Sequence, residues 1–200
     1  KTMQATIIET IYKDFKEWDS ETQQTVIDKN RYFNIEHEEW FDCTIEDFKE
    51  VGNKVGIDID NIYFSGFCSQ GDGACFTGNY SHKKGALQTV NTEYPNWLEL
   101  HEIVQDLQDL QRRYCYQLSA NVSHHGHYYH ENCTYVTTNH NNDYDISENT
   151  QDEMTNILRD FMRLIYSTLE QEYDYLTSDK ALKEYFEQSD HQFNDEGELF

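Results

Sequence analysis

Two short segments of this 200-residue chain contain the residue types from which catalytic and metal sites are built. The first segment reads Ser69-Gln70-Gly71-Asp72-Gly73. Its glycines permit positive φ and expose backbone N–H groups, and its aspartate could coordinate a cation or act as a base. The spacing departs from the nucleotide-binding patterns GxGxxG and GxxxxGK[ST]. Two interpretations remain open, a ligand-binding loop formed by these five residues and an ordinary hairpin turn.

The second segment carries four imidazoles in seven residues, at His124, His125, His127 and His130. Histidine is a common ligand of zinc and other transition metals, so His127 and His130 are candidate ligands of a divalent metal. Together with Asp72 they are also the candidate catalytic residues. In a regular strand, side chains 127 and 130 point to opposite faces, so one ion could contact both only across a bulge or turn. Polar histidines of a hairpin are the alternative.

The cysteines are odd in number, five in all, and contain no closely spaced pair. This pattern argues against a disulfide framework and against a zinc knuckle, and it favours reduced thiols in a cytoplasmic protein. Cys68 and Cys75 flank the glycine-rich turn. We expect both to pack as small apolar residues and not to act as nucleophiles.

The elements that must position these segments follow from hydrophobic periodicity. The β-prone runs 62–69 and 74–80 predict one hairpin, and runs 114–122 and 128–138 predict a second. With the β-branched run 3–12, the sequence predicts an antiparallel sheet of four or five strands.

Helical spacing of apolar residues predicts helices at the amino end, in the centre and near the carboxy end of the chain. A capping-box pattern predicts that the first helix opens at Ser20, and Gly52 and Gly56 predict fraying and then the end of the second. The expected ranges are about 20–33, 44–55, 96–113, 149–173 and 178–188. Residues from about 189 form an acidic, weakly patterned tail. Since no repeat or long linker interrupts the chain, we expect a single α+β domain over residues 1–200.

The charge of the chain restricts its partners. There are 38 acids and only 15 lysines and arginines, giving a net charge of −23. Such a field repels nucleic acid and anionic membranes and attracts basic protein surfaces. No stretch approaches the roughly 18 apolar residues of a membrane-spanning helix. We therefore expect a soluble protein that contacts neither nucleic acid nor membrane directly; its oligomeric state is left open.

The acidity itself has two interpretations. Carboxylates could mimic a phosphate backbone and occupy the basic groove of a nucleic-acid enzyme, or they could serve solubility alone. The acids concentrate on the flanks, because residues 61–142 carry a net charge of only −3. The candidate partner-binding residues are the flanking acids Glu36, Glu38, Glu39, Asp190, Asp195 and Glu196.

Several segments resemble a group of tailed-phage proteins of unknown function that are loosely described as antitoxin-like. The similar stretches are IYFSGFCSQGDGA at 62–74, GHYYH at 126–130, residues 165–179, and the acidic ending FNDEGEL at 193–199. The resemblance implies a phage origin and assigns no catalytic role to any residue. It also makes the residues Ser69, Gln70, Asp72, His127 and His130 the best candidates for a shared site.

These observations lead to one principal hypothesis and two alternatives. The principal hypothesis is a phage accessory protein, acting in the cytoplasm of an infected bacterial host. It would bind and inhibit a host protein with a basic surface, such as a defence or nucleic-acid-processing enzyme. The first alternative is a metal-dependent hydrolase or nucleotide-binding protein that uses Asp72, His127 and His130. The second is an antitoxin.

Overall fold

The structure is a computed structural model that describes residues 10–200, without the side chain of Glu38. Its strands and helices in chain order are β1 (Lys13–Asp14), α1 (Ser20–Lys29), α2 (Asp42–Val55), β2 (Ile57–Phe64), β3 (Ala74–Ser81), α3 (Ala86–Glu93), α4 (Leu98–Arg113), β4 (Leu118–His124), β5 (Thr134–His140), α5 (Glu148–Leu176), α6 (Asp179–Gln188) and β6 (Gln192–Phe193). The predicted α+β class is therefore confirmed. The strand predicted over 3–12 lies almost wholly outside the described residues.

The chain divides into two compact units, and the larger comprises residues 41–170. Its sheet has the order β2-β3-β4-β5, and every neighbouring pair is antiparallel. The two predicted hairpins are thus confirmed, and they join through β3 and β4. The connection between them contains α4, as predicted, and also α3, which the periodicity did not indicate.

One face of this sheet packs into the apolar core of the unit. Alternation along β3 buries Phe76 and Tyr80 on that face, where Phe161 of α5 meets the Phe76 ring edge-on at 6.0 Å. Between the two aromatic residues, Gly78 has φ +151°, and a Cβ there would lie 2.0 Å from the Asp58 carbonyl oxygen. Only glycine allows this close approach, which occurs beside the irregularity in β2.

A buried amide joins α4 to the sheet. Gln111 is fully buried, and its Nε2 donates to the Leu118 carbonyl at 2.7 Å and to the Tyr80 hydroxyl at 3.3 Å. Its Oε1 accepts from the Leu118 N–H at 3.1 Å. Because every polar atom of this amide has a partner, its burial does not leave unsatisfied groups in the core.

Of the two glycines predicted to fray and to end α2, one has the predicted function and the other does not. Gly56 ends the helix with φ +94°, as expected of a left-handed cap. Gly52, predicted to fray the helix, instead lies in its buried interior, where a Cβ would approach the Ile57 carbonyl oxygen to 2.7 Å. Close packing of the helix against the start of β2 explains this glycine.

In the described part of the chain, the smaller unit comprises residues 10–40 and 171–200 and has its own apolar core. Its buried members are Phe15, Val26, Ile27, Leu182, Phe186 and Phe193. The first helix is capped by Asp19 and not by Ser20, because the Asp19 carboxylate accepts from the Thr22 N–H at 2.8 Å.

The carboxy-terminal tail is more ordered than its composition indicated. Residues Gln192–Phe193 pair with Lys13–Asp14, and Phe193 forms a bridge with Leu199. The buried side chain of Asn194 accepts from the backbone N–H groups of Glu196 and Glu198. Among the described residues, no helix is both long and apolar enough to cross a membrane.

Candidate functional site

The two candidate segments lie at the same end of the sheet. Residues 65–73 connect β2 to β3, and residues 125–133 connect β4 to β5. Because β3 is antiparallel to both β2 and β4, its first residues lie beside the last residues of each. Strand order therefore brings the glycine-rich turn and the histidine segment together, a question that the sequence left open.

A glycine forms the contact between these two connections. A Cβ on Gly73 would lie 2.9 Å from Cδ2 of His130 and 3.1 Å from its Cα. The first distance is shorter than a Cβ contact allows and the second is tighter than most such contacts, so the close approach explains the glycine at this position. His130 is thus the histidine that adjoins the turn.

The turn is closed by its own polar groups. Oδ2 of Asp72 accepts from the backbone N–H of Cys68 at 3.0 Å and of Ser69 at 2.6 Å. Ser65 donates its N–H to the Gly73 carbonyl and accepts the Gly73 N–H on its hydroxyl. One oxygen of the Asp72 carboxylate is therefore used to shape the loop. Ligand binding by the five turn residues stays a prediction.

The histidine segment is a loop, where the sequence predicted strand from residue 128. Gly126 has φ +89° and a 3₁₀ turn covers Glu131–Cys133, so the alternation of strand faces does not apply to His127 and His130. His127 is exposed, and Nδ1 of His130 accepts from the Asn132 N–H at 3.1 Å.

Glu131 is a member of this site that sequence reasoning missed. Its carboxylate lies 2.9 Å from Nδ1 of His130 and 3.1 Å from Nε of Arg163 on α5. No local sequence signal could have revealed the pair of Glu131 and Arg163, since the two residues are 32 positions apart. Within residues 10–200, no three histidine, cysteine or acidic side chains are arranged to hold a metal ion. Metal binding by His127 and His130 stays a prediction.

The cysteines beside the turn differ from each other. Cys75 is fully buried, as predicted, and burial, with smaller contributions from Cys133 and Glu131, raises the pKa of its thiol to about 12. The thiol is therefore protonated at neutral pH and is a poor nucleophile. Cys68 is exposed, contrary to prediction, because it lies in the loop beyond the end of the strand.

The acids proposed from sequence as partner contacts belong to the smaller unit. Glu36, Glu39, Asp190, Asp195 and Glu196 are all exposed, and none forms an ion pair with a residue that the structure describes. The side chain of Glu38 lies outside the described part. These positions are compatible with contact to a partner, which stays a prediction.

A second acidic surface lies in the larger unit, in a groove between α4 and α5. The groove encloses about 410 Å³, and its carboxylates are Glu99, Glu102, Asp106 and Asp160. Burial and then the neighbouring Asp160, Asp109 and Glu153 raise the pKa of the Asp106 carboxyl. The signal for this groove was present in the sequence, since positions 99, 102 and 106 share one face of the amphipathic helix.

The groove has an apolar floor and one cation. Ile103 and Leu164 line it and are each 6% exposed. Arg163 also lines it, but this guanidinium is paired with Asp160 and Glu131. The other carboxylates of the groove, on α4, have no ion pair among the described residues.

These features define an α+β protein with an acidic groove between two helices. The chain belongs to the family described as a domain of unknown function (DUF8835), whose model matches residues 40–179. No curated protein and no solved structure matches the chain. The matched segment includes the groove and both hairpin connections, whereas the flanking acids from Glu36 to Glu39 and from Asp190 onward lie outside it.

Proposed function

We propose that this protein binds a basic surface of another protein through the acidic groove between α4 and α5. The narrower form of the proposal is a phage accessory protein that inhibits a host protein, in the cytoplasm of an infected bacterium, by covering its nucleic-acid-binding surface. The resemblance to tailed-phage proteins and the net charge of −23 support this form. The unpaired carboxylates of the groove are the observation that carries the proposal.

The distribution of ion pairs supports a surplus of negative charge in this groove. Cations with a carboxylate partner in the described part of the chain are Lys29, Arg31, Lys49, Lys54, Arg112, Arg113, Arg163 and Lys183. Glu99, Glu102 and Asp106 have no such partner. Their field is therefore uncompensated, which favours approach of a basic surface and opposes that of nucleic acid.

The raised pKa of Asp106 supports the same proposal. Its carboxyl group is partly desolvated and crowded by other acids, so ionisation is less favourable than in water. A lysine or arginine placed in the groove would stabilise the ionised form. Binding of a basic partner and ionisation of Asp106 should therefore favour each other.

A comparison of two triple variants tests the proposal. In the groove variant, Glu99→Gln, Glu102→Gln and Asp106→Asn remove three charges. In the control variant, Asp58→Asn, Asp60→Asn and Asp152→Asn remove three exposed charges outside the groove. Proteins captured from a bacterial lysate would be identified, and the affinity of the purified partner measured with and without competing duplex DNA.

We expect the groove variant to lose the partner, the control to retain it, and DNA to compete with the unmodified protein. Equal loss in both variants would show that net charge and not the groove is responsible. A partner that binds DNA and this protein simultaneously would contradict the narrower proposal. The hydrolase and antitoxin hypotheses stay predictions.

A further inference from the structure

Three strands of the larger sheet carry no charged residue. Strands β3, β4 and β5, of eight, seven and seven residues, contain no lysine, arginine, aspartate or glutamate, although such residues make up 26% of the chain. The acids of the sheet lie on β2, at Asp58 and Asp60. An exposed sheet face is ordinarily polar, but exposure does not require it to lack charge, and edge strands such as β5 commonly carry charges. The composition of these three strands therefore calls for a separate explanation.

The side chains that point away from the core on these strands form a surface that we call the neutral face. It is defined by Asn79, Ser119, Asn121, Tyr135, Thr137 and Asn139. Antiparallel register places Asn79, Asn121 and Thr137 in one row across the three strands, and Ser119 and Asn139 in the next row. Neighbours in such a grid are about 4.8 Å apart across the strands and about 7 Å apart along them. The neutral face is thus a regular array of hydroxyl and amide groups.

Much of the hydrogen-bonding capacity of this array is unused. Nδ2 of Asn121 donates to Oδ1 of Asn79 at 3.1 Å, which leaves Nδ2 of Asn79 and Oδ1 of Asn121 open. In the described part of the chain, the exposed side chains of Thr137 and Asn139 have no hydrogen-bond partner. Hydroxyl and amide groups both donate and accept, whereas a carboxylate only accepts and an ammonium only donates. The array is therefore suited to a ligand whose own groups also do both.

Exposed aromatic rings adjoin the array. Tyr135 pairs with Ser123 across β4 and β5 and is 61% exposed. One side of its ring stacks on the ring of His125, with the centroids 3.8 Å apart and 20° between the planes. Tyr63 and Tyr129 form a second stacked pair at the same end of the sheet, 5.2 Å apart. Because stacking already holds these rings, a ligand that packs on them would cost little side-chain entropy.

We propose that the neutral face binds a neutral oligosaccharide. Sugar hydroxyls donate and accept hydrogen bonds, and the C–H side of a sugar ring is apolar and packs on an aromatic ring such as Tyr135. A neutral sugar also matches the charge of the site. Nucleic acid is repelled by the net charge of −23, and a basic protein would require carboxylates that these three strands lack. The neutral face shares no residue with the acidic groove, so the inference is independent of the proposed function.

The test uses the full chain and three neutral probes that differ in linkage or substituent, namely cellohexaose, chitohexaose and maltohexaose, monitored by amide chemical shifts. We expect at least one probe to give saturable shifts at Asn121, Tyr135 and Thr137. The acidic probe hexagalacturonate should give none, because its carboxylates are repelled. The absence of saturable shifts on the neutral face with all three neutral probes would overturn the proposal, and so would equal binding of the acidic probe.

Two variants and one control identify the site. Tyr135→Ala should weaken binding of the oligosaccharide about tenfold through loss of the ring contact. Asn121→Ala with Thr137→Ala should also weaken it about tenfold, through loss of two hydrogen bonds. The control Tyr32→Ala removes a ring of similar exposure, 58%, from the smaller unit and should bind normally.

Circular-dichroism spectra establish that each variant is folded. Affinity that is unchanged in both variants of the neutral face would overturn the inference. A protein partner that Tyr135→Ala loses, with no oligosaccharide bound by the unmodified chain, would assign the face to a protein and overturn it as well.

Discussion

At Asp106, partial burial and then three neighbouring acids oppose ionisation of one carboxyl group. The folded-state pKa lies above the ordinary value of 3.8, so the folded protein binds more protons than the unfolded chain between those two values. Stability contributed by the protonated group is present below the ordinary pKa and is lost as pH rises through the raised one. The carboxylate is consequently destabilising at neutral pH.

We expect Asp106→Asn to have a higher midpoint temperature of thermal unfolding than the unmodified protein at pH 7. This difference should disappear as pH falls below 3.8. Calorimetric or circular-dichroism melting over a pH series checks the prediction. Asp152→Asn, an exposed position on α5, controls for the change in net charge. An advantage of Asp106→Asn that is independent of pH, or one equal to that of the control, would contradict it.

Among the elements, β5 shows how this fold protects the edge of a sheet. The strand has a neighbour only on the β4 side, and an unpaired edge is a template for association with another chain. Gln151 of α5 replaces the missing strand: its Oε1 accepts the Thr138 N–H at 2.8 Å and its Nε2 donates to the Val136 carbonyl at 2.7 Å. One side chain therefore satisfies two backbone groups of the edge.

We expect Gln151→Ala to lower the free energy of unfolding by about 2 kcal/mol, because two half-buried backbone groups lose their partner. Exchange of the Thr138 amide hydrogen should accelerate, and self-association should increase with concentration. Urea unfolding, hydrogen exchange and sedimentation measure these effects. Asn156→Ala, which also removes a primary amide at an exposed site of the same helix, is the control. A Thr138 amide that stays as protected as before would show that the edge does not depend on this side chain.

For the whole molecule, repulsion between like charges is the dominant electrostatic effect. Acids exceed lysines and arginines by 23, and both compact units share the excess: residues 1–40 with 171–200 carry −11, and residues 41–170 carry −12. Exposed ion pairs are individually weak, so screening should remove more repulsion than attraction.

We therefore expect the thermal midpoint to rise as sodium chloride increases from about 10 to 150 mM, over which the Debye length falls from about 30 to 8 Å. Choline chloride at equal ionic strength should give the same increase, since the effect comes from screening and not from a bound ion. A midpoint that falls with salt would mean that the ion pairs contribute more than the repulsion does.

Much of the fold was accessible from local patterns. Apolar spacing located α4 and α5 to within a few residues, and the Gly71–Gly73 turn predicted the first hairpin. The errors arose where long-range contacts override local preference. Gly52 packs against the start of β2, and strand β2 begins at Ile57, before the run that was recognised. A loop with a 3₁₀ turn takes the place of residues 128–133 of the strand predicted over 128–138.

For the candidate sites, too, the sequence determined some features and the tertiary structure determined the others. Composition alone determined that the protein is strongly acidic, and helical period alone placed Glu99, Glu102 and Asp106 on one face of α4, because both properties depend only on residue type and spacing. Only the tertiary structure decided that the Gly73 turn contacts His130 and that Glu131 pairs with Arg163. It also decided that Asp160 of α5 lines the same groove as the acids of α4. These contacts join residues distant in the chain, and they depend on strand order and helix packing, for which a single sequence carries no periodic signal.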